Sequence, residues 1–440
     1  MGIFKAYDVR GKYGPEINEA LMKSIGRAFA DFISGNTIAV GRDMRLSSFS
    51  LFNAFCEGII MQGKNVLDFG LTSTPMAYFA CRHLKADGCA MITASHNPKE
   101  DNGVKFTREN AIPISEDTGI REIEKSVTLN SFHKATSKGR LVKKNVLLAY
   151  QQFLQAYLNE KRQLKIVVDG SSGMGAQDFG CIKERLKSPV TCLSFDLDGN
   201  FPDHDANPMK EGAANLLIRG VLEQKADLGI IFDGDADRVF FVDNRGRLVA
   251  SDMITALISV EILKKNPGKK ILYDLRSSWV VREEIEEAGG RAEMCRVGHS
   301  FIKDAMRKTD SIFAGEISGH FYFRDAGFID SGIITAIYII NILSSSGKRF
   351  SDLLLPLQRY FVSGEINSTV SDKEAKMKEI AQKYGDGKIS YLDGIRIDYP
   401  DFWFNVRPSN TEPLLRLNVE GKKKEIMEKA RDDILKIIRS

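Results

Sequence analysis

Ser95 stands in Thr93-Ala94-Ser95-His96-Asn97-Pro98, directly after the apolar run Gly88-Cys89-Ala90-Met91-Ile92. The run reads as a buried strand, and Asn97-Pro98 and Asp101-Asn102-Gly103 read as turns, so the hydroxyl is set at a strand mouth. A serine placed there is a candidate nucleophile, but it needs an activator. Far along the chain, Asp233-Gly234-Asp235-Ala236-Asp237-Arg238 follows a second strand-like run, Leu228-Gly229-Ile230-Ile231-Phe232. Three carboxylates so close together repel one another unless a cation neutralises them. Asp233, Asp235 and Asp237 are therefore candidate ligands for a hard ion such as Mg²⁺. An EF-hand is excluded, because Arg238 and Asn244 stand where its glycine and its last acid belong.

Two further loops carry chemistry. Gly315-Glu316-Ile317-Ser318-Gly319-His320 offers a carboxylate, a hydroxyl and an imidazole between glycines that permit close backbone approach. Glu316 and Ser318 suit the vicinal hydroxyls of a sugar, with His320 beside them. Arg407-Pro408-Ser409-Asn410-Thr411-Glu412-Pro413 offers a guanidinium, two hydroxyls, an amide and turn N–H groups. Arg407, Ser409, Asn410 and Thr411, helped by Arg416, suit a phosphate dianion. His96 tempts a hydrolase reading, but its flanks are Thr93 and Asn97 rather than the glycines of a nucleophile elbow. It is expected to shape the site, not to act as a base. Gly170-Ser171-Ser172-Gly173-Met174-Gly175 is not Gly-x-Gly-x-x-Gly and no Walker A run occurs, so nucleotide use is not implied.

Together the four loops resemble those of the α-D-phosphohexomutases, in the phosphomannomutase/phosphoglucomutase branch, and they occur in that family's order across nearly the whole chain. Ala6-Tyr7-Asp8-Val9-Arg10-Gly11, Asn102-Gly103-Val104-Lys105 and Gly298-His299-Ser300 match as well. The resemblance implies three related mixed or mostly parallel α/β/α domains and a C-terminal α+β domain around a central cleft. It implies a reversible exchange of hexose 1-phosphate and hexose 6-phosphate, through a phosphoserine at Ser95 and a hexose 1,6-bisphosphate that also serves as activator. Mg²⁺ would be held by Ser95 and the three aspartates, with Arg238 reaching the moving phosphoryl group. Lys105 and His299 are the acid/base candidates, and His299 has the better-matched unperturbed pKa. Arg10 is too weak an acid for that task and is expected to act electrostatically. Tyr7 is expected to line the site. Asn410 and Ile317 replace the glycine and glutamine usual in the glucosamine-phosphate branch, which points to glucose and mannose phosphates. A phosphoglucosamine mutase, or a metal-dependent sugar-phosphate phosphatase, is the alternative.

Composition sets bounds. With 440 residues, one core is too few. The net charge of +4 is small for that length, and no basic stripe suggests nucleic acid. Six scattered cysteines without metal spacing suggest a reducing cytoplasm. No signal peptide is evident, and the longest apolar stretch, 333–343, is too short to span a bilayer, so no membrane association is expected. A monomer or homodimer is expected.

The elements that must position these loops alternate in type. Helices are expected at 21–33, 146–159, 215–224, 253–264, 280–288, 332–343 and 424–438. Strands are expected at 37–40, 65–69, 165–168, 190–195, 228–232, 270–273, 291–296 and 312–314, with an irregular stretch at 126–138. Such alternation predicts largely parallel sheets covered by helices, with ligands beyond the strands' carboxyl ends. Asp43-Met44-Arg45-Leu46-Ser47-Ser48, Asp169-Gly170-Ser171-Ser172 and Asp274-Leu275-Arg276-Ser277-Ser278 form a weak internal repeat. From about Phe361 the pattern changes to antiparallel alternation, after a hinge near Val362-Ser363-Gly364. The expected domains are 1–141 with the serine loop, 142–247 with the acidic loop, 248–360 with the sugar loop and 361–440 with the phosphate loop.

Overall fold

A computed structural model describes residues 2–409 and 414–440. The chain forms two compact units, Met1–Val249 with Ser318–Ser351, and Ala250–Ile317 with Asp352–Ser440. The first residues lay down β1 (Asp8–Lys12), β2 (Thr37–Arg42), β3 (Asn65–Leu71), β4 (Gly88–Ile92), β5 (Asp101–Arg108) and β6 (Leu141–Lys143), in the order β1-β5-β4-β2-β3-β6. β2 lies parallel to β3 and β4, whereas β5 runs antiparallel to β4 and β1. This corrects the reading of Asp101-Asn102-Gly103 as a turn, since the three residues open β5. At Gly103 a Cβ would stand 1.9 Å from the Val9 carbonyl oxygen, so only glycine lets β1 approach. Asn102 is buried and donates to Ser47 Oγ (2.7 Å) and Ser48 Oγ (3.0 Å). Tertiary partners outweigh the local turn preference here.

Helices Glu19–Phe32 and Ser48–Met61 pack together above this sheet's core. Asn18 starts the first by accepting from the Leu21 N–H. Phe29 and Phe55, one from each helix, stack on Phe106 of β5 with centroids 4.8 and 6.3 Å away. Truncating a ring of this kind costs about 3–5 kcal/mol. The stretch at 126–138 is not wholly irregular, because it includes the end of the helix Ile120–Thr128.

Next come β7 (Ile166–Asp169), β8 (Val190–Leu193), β9 (Leu228–Phe232), β10 (Val239–Asp243) and β11 (Leu248–Val249), in the order β11-β10-β9-β7-β8. β7 is parallel to β8 and β9, and β10 is antiparallel to β9 and β11. Then β12 (Lys270–Asp274) pairs in parallel with β13 (Arg291–Cys295) and β14 (Phe313–Gly315). β15 (Phe321–Phe323) and β16 (Ile329–Asp330) pair antiparallel.

The same plan thus occurs three times. A central strand (β2, β7 or β12) is flanked in parallel by the two strands that follow it. Asp43 follows the first central strand, and Asp169 and Asp274 end the other two. The loops that carry Ser95, Asp233 and Glu316 each follow the third strand of their repeat. The short polar matches in sequence therefore mark one architectural position.

The last segment holds β17 (Phe361–Val362), β18 (Ile366–Thr369), β19 (Lys388–Ser390), β20 (Ile395–Asp398), β21 (Phe402–Pro408) and β22 (Leu414–Gly421). They pair antiparallel in the order β17-β22-β21-β20-β19, with β18 also on β22. The helix Lys424–Arg439 buries Met427, Ala430, Ile434, Ile437 and Ile438 against Phe404, Val406, Leu415 and Leu417. Their helical spacing makes one apolar stripe. Among the described residues, no helix is long and apolar enough to cross a membrane.

Candidate active site

Ser95 is buried and takes a left-handed backbone conformation, φ 53°. A residue other than glycine rarely adopts it, and such strain gathers at functional positions. The Ser95 N–H donates to Thr93 Oγ1 at 2.8 Å. Its Oγ donates to Asp233 Oδ2 at 3.0 Å, so the serine meets the acidic loop across 138 residues of sequence. Gly234 makes this approach possible, because a Cβ there would lie 2.5 Å from the Ser95 carbonyl oxygen. Ser95 Oγ also lies 3.2 Å from His96 Nδ1, so the two adjacent side chains do meet. Burial, then the cations Arg238, Arg10 and Lys105, push the His96 pKa well below the usual histidine value and leave the ring neutral.

The acidic loop is fully buried. Carboxylate oxygens of Asp233, Asp235 and Asp237 all lie within 4.8 Å of one another. Burial, and then repulsion by Asp237 and Asp235, push the Asp233 carboxyl well above the usual range. Among the described residues, no hydrogen-bond donor meets Asp235 Oδ1 or Asp237 Oδ1. Buried carboxylate oxygens left in this way fit a hard divalent cation, which would also return Asp233 to its ionised form.

Lys105 supplies part of the missing charge. Its Nζ lies 2.6 Å from Asp235 Oδ2 and 2.6 Å from Asp237 Oδ2. Burial disfavours the ammonium, but the two carboxylates outweigh it and raise its pKa. Burial likewise opposes ionisation of Asp237, yet the Lys105 ammonium holds its pKa down. Arg10 reaches the serine loop from β1, donating to Asn97 Oδ1 at 2.9 Å and to the Ala94 carbonyl at 3.3 Å. Tyr7 is half-buried just before β1. Arg238 donates from Nε to His320 Nε2 at 3.0 Å. A guanidinium only donates, so Nε2 accepts and the His320 proton sits on Nδ1. Nδ1 faces Asp330 Oδ2 at 3.1 Å.

Four domain families match the chain in order: phosphoglucomutase/phosphomannomutase alpha/beta/alpha domain I over residues 1–134, domain II over 148–246, domain III over 250–360 and the C-terminal domain over 365–437. The chain belongs to the phosphoglucomutase/phosphomannomutase family. It is 39% identical to a phosphomannomutase of Escherichia coli strain K12, across 95% of this chain and 94% of the relative. It is 38% identical to a phosphomannomutase of Methanocaldococcus jannaschii, across 99% and 97%. A phosphoglucomutase/phosphomannomutase family protein from Burkholderia thailandensis superposes with a TM-score of 0.92 at 31% identity, covering 99% of this chain and 96% of its own. An N-acetylphosphoglucosamine mutase of Aspergillus fumigatus, solved with GlcNAc-6P and magnesium, shares the fold at a TM-score of 0.61 and 13% identity, covering 100% of this chain and 96% of its own. This phosphohexomutase is accordingly an isomerase that moves a phosphoryl group within hexose phosphates.

The other unit of the phosphohexomutase holds Glu316, His299, Arg407, Ser409 and Arg416. Glu316 is buried, with Arg276 Nη2 3.6 Å from its Oε1, and the Ile317 N–H donates to Asp274 Oδ2 at 3.1 Å. His299 begins the helix His299–Thr309 and is half-buried. Arg407 and Arg416 both reach Glu365, each at 3.2 Å. The Ser409 N–H donates to the Leu414 carbonyl at 2.9 Å. Asn410 and Thr411 lie outside the described residues. Ser318 is half-buried and belongs to the first unit, as His320 does.

Sequence reasoning missed three residues of the first unit. Asp330 ends β16 and faces His320, but no local pattern distinguished it from a helix-capping aspartate. Thr74 donates from Oγ1 to Asp235 Oδ2 at 2.6 Å, and its N–H donates to the Asp235 carbonyl at 3.0 Å. Arg45 lies behind the serine loop, and its only signal was the internal repeat.

Proposed function

We propose that Ser95 carries the phosphoryl group in the resting enzyme. It passes the group to a free hydroxyl of a hexose monophosphate, giving a hexose 1,6-bisphosphate. The bisphosphate turns over and returns its other phosphoryl group to Ser95. The observation that carries this reading is the Ser95 Oγ–Asp233 Oδ2 hydrogen bond of 3.0 Å, which sets the hydroxyl on the triple-aspartate loop. Asp233, Asp235 and Asp237 would hold Mg²⁺, which offsets phosphate charge during transfer. Arg10 and Arg238 flank Ser95 as permanent cations for the moving group. Lys105, held as an ammonium by two carboxylates, serves as a counter-ion.

A base must take the proton of the attacking sugar hydroxyl, and an acid must give one to the departing oxygen. Within the first unit, His320 is the group suited to that exchange. Its Nδ1 faces Asp330 Oδ2 at 3.1 Å, and its Nε2 is the atom that would exchange the proton once Arg238 turns to the phosphoryl group. His299 remains the candidate from the other unit. Tyr7 would line the sugar. Glu316 and Ser318 would grip sugar hydroxyls, while Arg407, Ser409, Asn410, Thr411 and Arg416 would clamp the phosphate that is not reacting. The domain division proposed from the sequence gives each of these four tasks its own domain. Glucose and mannose phosphates are the proposed substrates, with hexose 1,6-bisphosphate as activator. The Ile317 and Asn410 residue types and the phosphomannomutase relatives support this choice.

Ser95→Ala tests the reading. Intact-mass analysis of wild type should show a phosphorylated fraction that maps to Ser95. The variant should lose nearly all turnover of glucose 1-phosphate and mannose 1-phosphate. Full turnover in the variant, or stoichiometric release of inorganic phosphate by wild type, would refute the mutase cycle through Ser95.

A further inference from the structure

We propose that Arg45 is a positioning residue for phosphoryl transfer, fixing the backbone of the serine loop so that Ser95 Oγ stays aimed at Asp233. The proposal rests on Ser95 being the nucleophile. Arg45 belongs to neither the metal loop nor the phosphate clamp, and its side chain is completely enclosed. Its Nη2 donates to the carbonyls of Ser95 and Asn97, both at 2.7 Å. Its Nη1 donates to the carbonyls of Pro98 (2.7 Å) and Asp101 (3.0 Å). One guanidinium therefore gathers four carbonyl oxygens from the loop that leaves β4 and returns as β5.

The rest of its surroundings hold the guanidinium still. Asp43 Oδ2 lies 3.3 Å from Arg45 Nε, and Asp43 Oδ1 accepts from the Arg45 N–H at 3.1 Å and from Ser48 Oγ at 2.5 Å. The Phe201 ring lies 5.2 Å from the guanidinium carbon. At Gly199 a Cβ would fall 2.8 Å from Arg45 Cα, so that loop closes directly over the residue.

The chemistry of the arrangement is specific to arginine. Its donors lie in one rigid plane, whereas a lysine ammonium is a single point with three donors. The left-handed φ of 53° at Ser95 is a conformation that the surrounding structure must enforce. Binding the Ser95 carbonyl fixes the peptide plane that follows the serine. With the Ser95 N–H tied to Thr93 Oγ1, both sides of that residue are then fixed. A carbonyl that swung forward would also bring its negative end toward the phosphoryl group.

The internal repeat places this brace in context. After the second central strand, Ser171 Oγ donates to the Phe232 carbonyl at the base of the acidic loop, at 2.6 Å. At the end of the third, Asp274 Oδ2 accepts the Ile317 N–H of the sugar loop. In each repeat a residue at or just beyond the end of the central strand supports the loop after the third strand, and Arg45 is the first repeat's version.

The test compares Arg45→Lys with Asp43→Asn in the full chain. Glucose 1-phosphate turnover, the rate of Ser95 phosphorylation by glucose 1,6-bisphosphate read by intact mass, and Tm are measured for each. Folded Arg45→Lys keeps the charge and loses the fork, so kcat and the phosphorylation rate should both fall ~100-fold, with KM within about threefold, as expected for a nucleophile displaced by roughly an ångström. Asp43→Asn keeps the four carbonyl bonds and loosens only the far side, so it should lower kcat by about tenfold at constant KM. A lower Tm with kcat unchanged in the folded fraction of Asp43→Asn, or of Arg45→Lys, would show that Arg45 serves stability alone and overturn the proposal. Should Arg45→Lys not fold, Asp43→Asn decides. Absence of phosphoserine at Ser95 in wild type would instead defeat the assignment of the nucleophile.

Discussion

Replacing Lys105 with methionine should make this phosphohexomutase depend on a divalent cation for its stability. The ammonium sits 2.6 Å from both Asp235 and Asp237, and the three side chains are 5%, 0% and 2% exposed. Methionine keeps most of the stem volume and removes the charge, which leaves buried carboxylates without their partner. Breaking a buried pair from one side typically costs about 3–5 kcal/mol. In a folding unit of this size, that corresponds to a fall of roughly 10 °C in Tm. The loss should depend on pH. In wild type the Asp237 pKa is depressed, so its contribution to stability is present above the unfolded-state carboxylate pKa and is lost as pH falls through the folded value. Without Lys105 that contribution disappears, so the gap between variant and wild type should be constant above the unfolded-state carboxylate pKa and narrow only as pH falls below it. Mg²⁺ neutralises the same carboxylates, so it should raise the Tm of the variant more than that of wild type. Differential scanning fluorimetry in EDTA and across a Mg²⁺ series, at pH 3 and pH 8.5, reads all three effects. An EDTA Tm at pH 8.5 that matches wild type, or an equal Mg²⁺ shift in both proteins, would refute the reasoning.

Thr74→Val removes the hydroxyl on Asp235 at nearly constant volume. It should weaken Mg²⁺ binding about tenfold in titration calorimetry, as expected when a ligand loses its orienting hydrogen bond, and an unchanged Kd would show that the hydroxyl does not orient the ligand. Asp178 is buried, with its Oδ2 accepting from the Tyr150 hydroxyl at 3.2 Å, and burial pushes its pKa up to about 7. A raised folded pKa means that stability is fully present below the unfolded value of 3.8 and is lost as pH rises through about 7. Asp178→Asn should therefore gain up to about 4 kcal/mol over wild type at pH 8 and much less at pH 5. Urea unfolding at the two pH values checks it, and a gain equal at both would exclude ionisation of Asp178 as the cause.

Much of the site was legible in the chain itself. The runs that end at Ile92 and Phe232 are short, apolar and bounded by polar turns, and the structure makes them β4 and β9 with those limits. A serine and three aspartates after such strands can only lie at a sheet's carboxyl edge, and three crowded carboxylates demand a cation whatever the fold. The closing helix was legible for a similar reason, since its apolar stripe keeps a single period over four turns.

Tertiary structure alone decided which of these groups meet. Asn102-Gly103 reads locally as a turn, yet Ser47, Ser48 and the Val9 carbonyl turn it into the start of a strand. Lys105, Thr74 and Asp235 converge from segments separated by up to 161 residues. Asp330 comes to face His320 only because an antiparallel hairpin carries it back. Arg45 is one arginine among many until four carbonyls close around it. Residue type and spacing determine what chemistry a loop can do, because charge, hydrogen-bonding capacity and backbone preference are local properties. Which partner satisfies each buried group depends on long-range packing, because an unpaired buried charge or carbonyl is costly and the fold settles where these needs are met together.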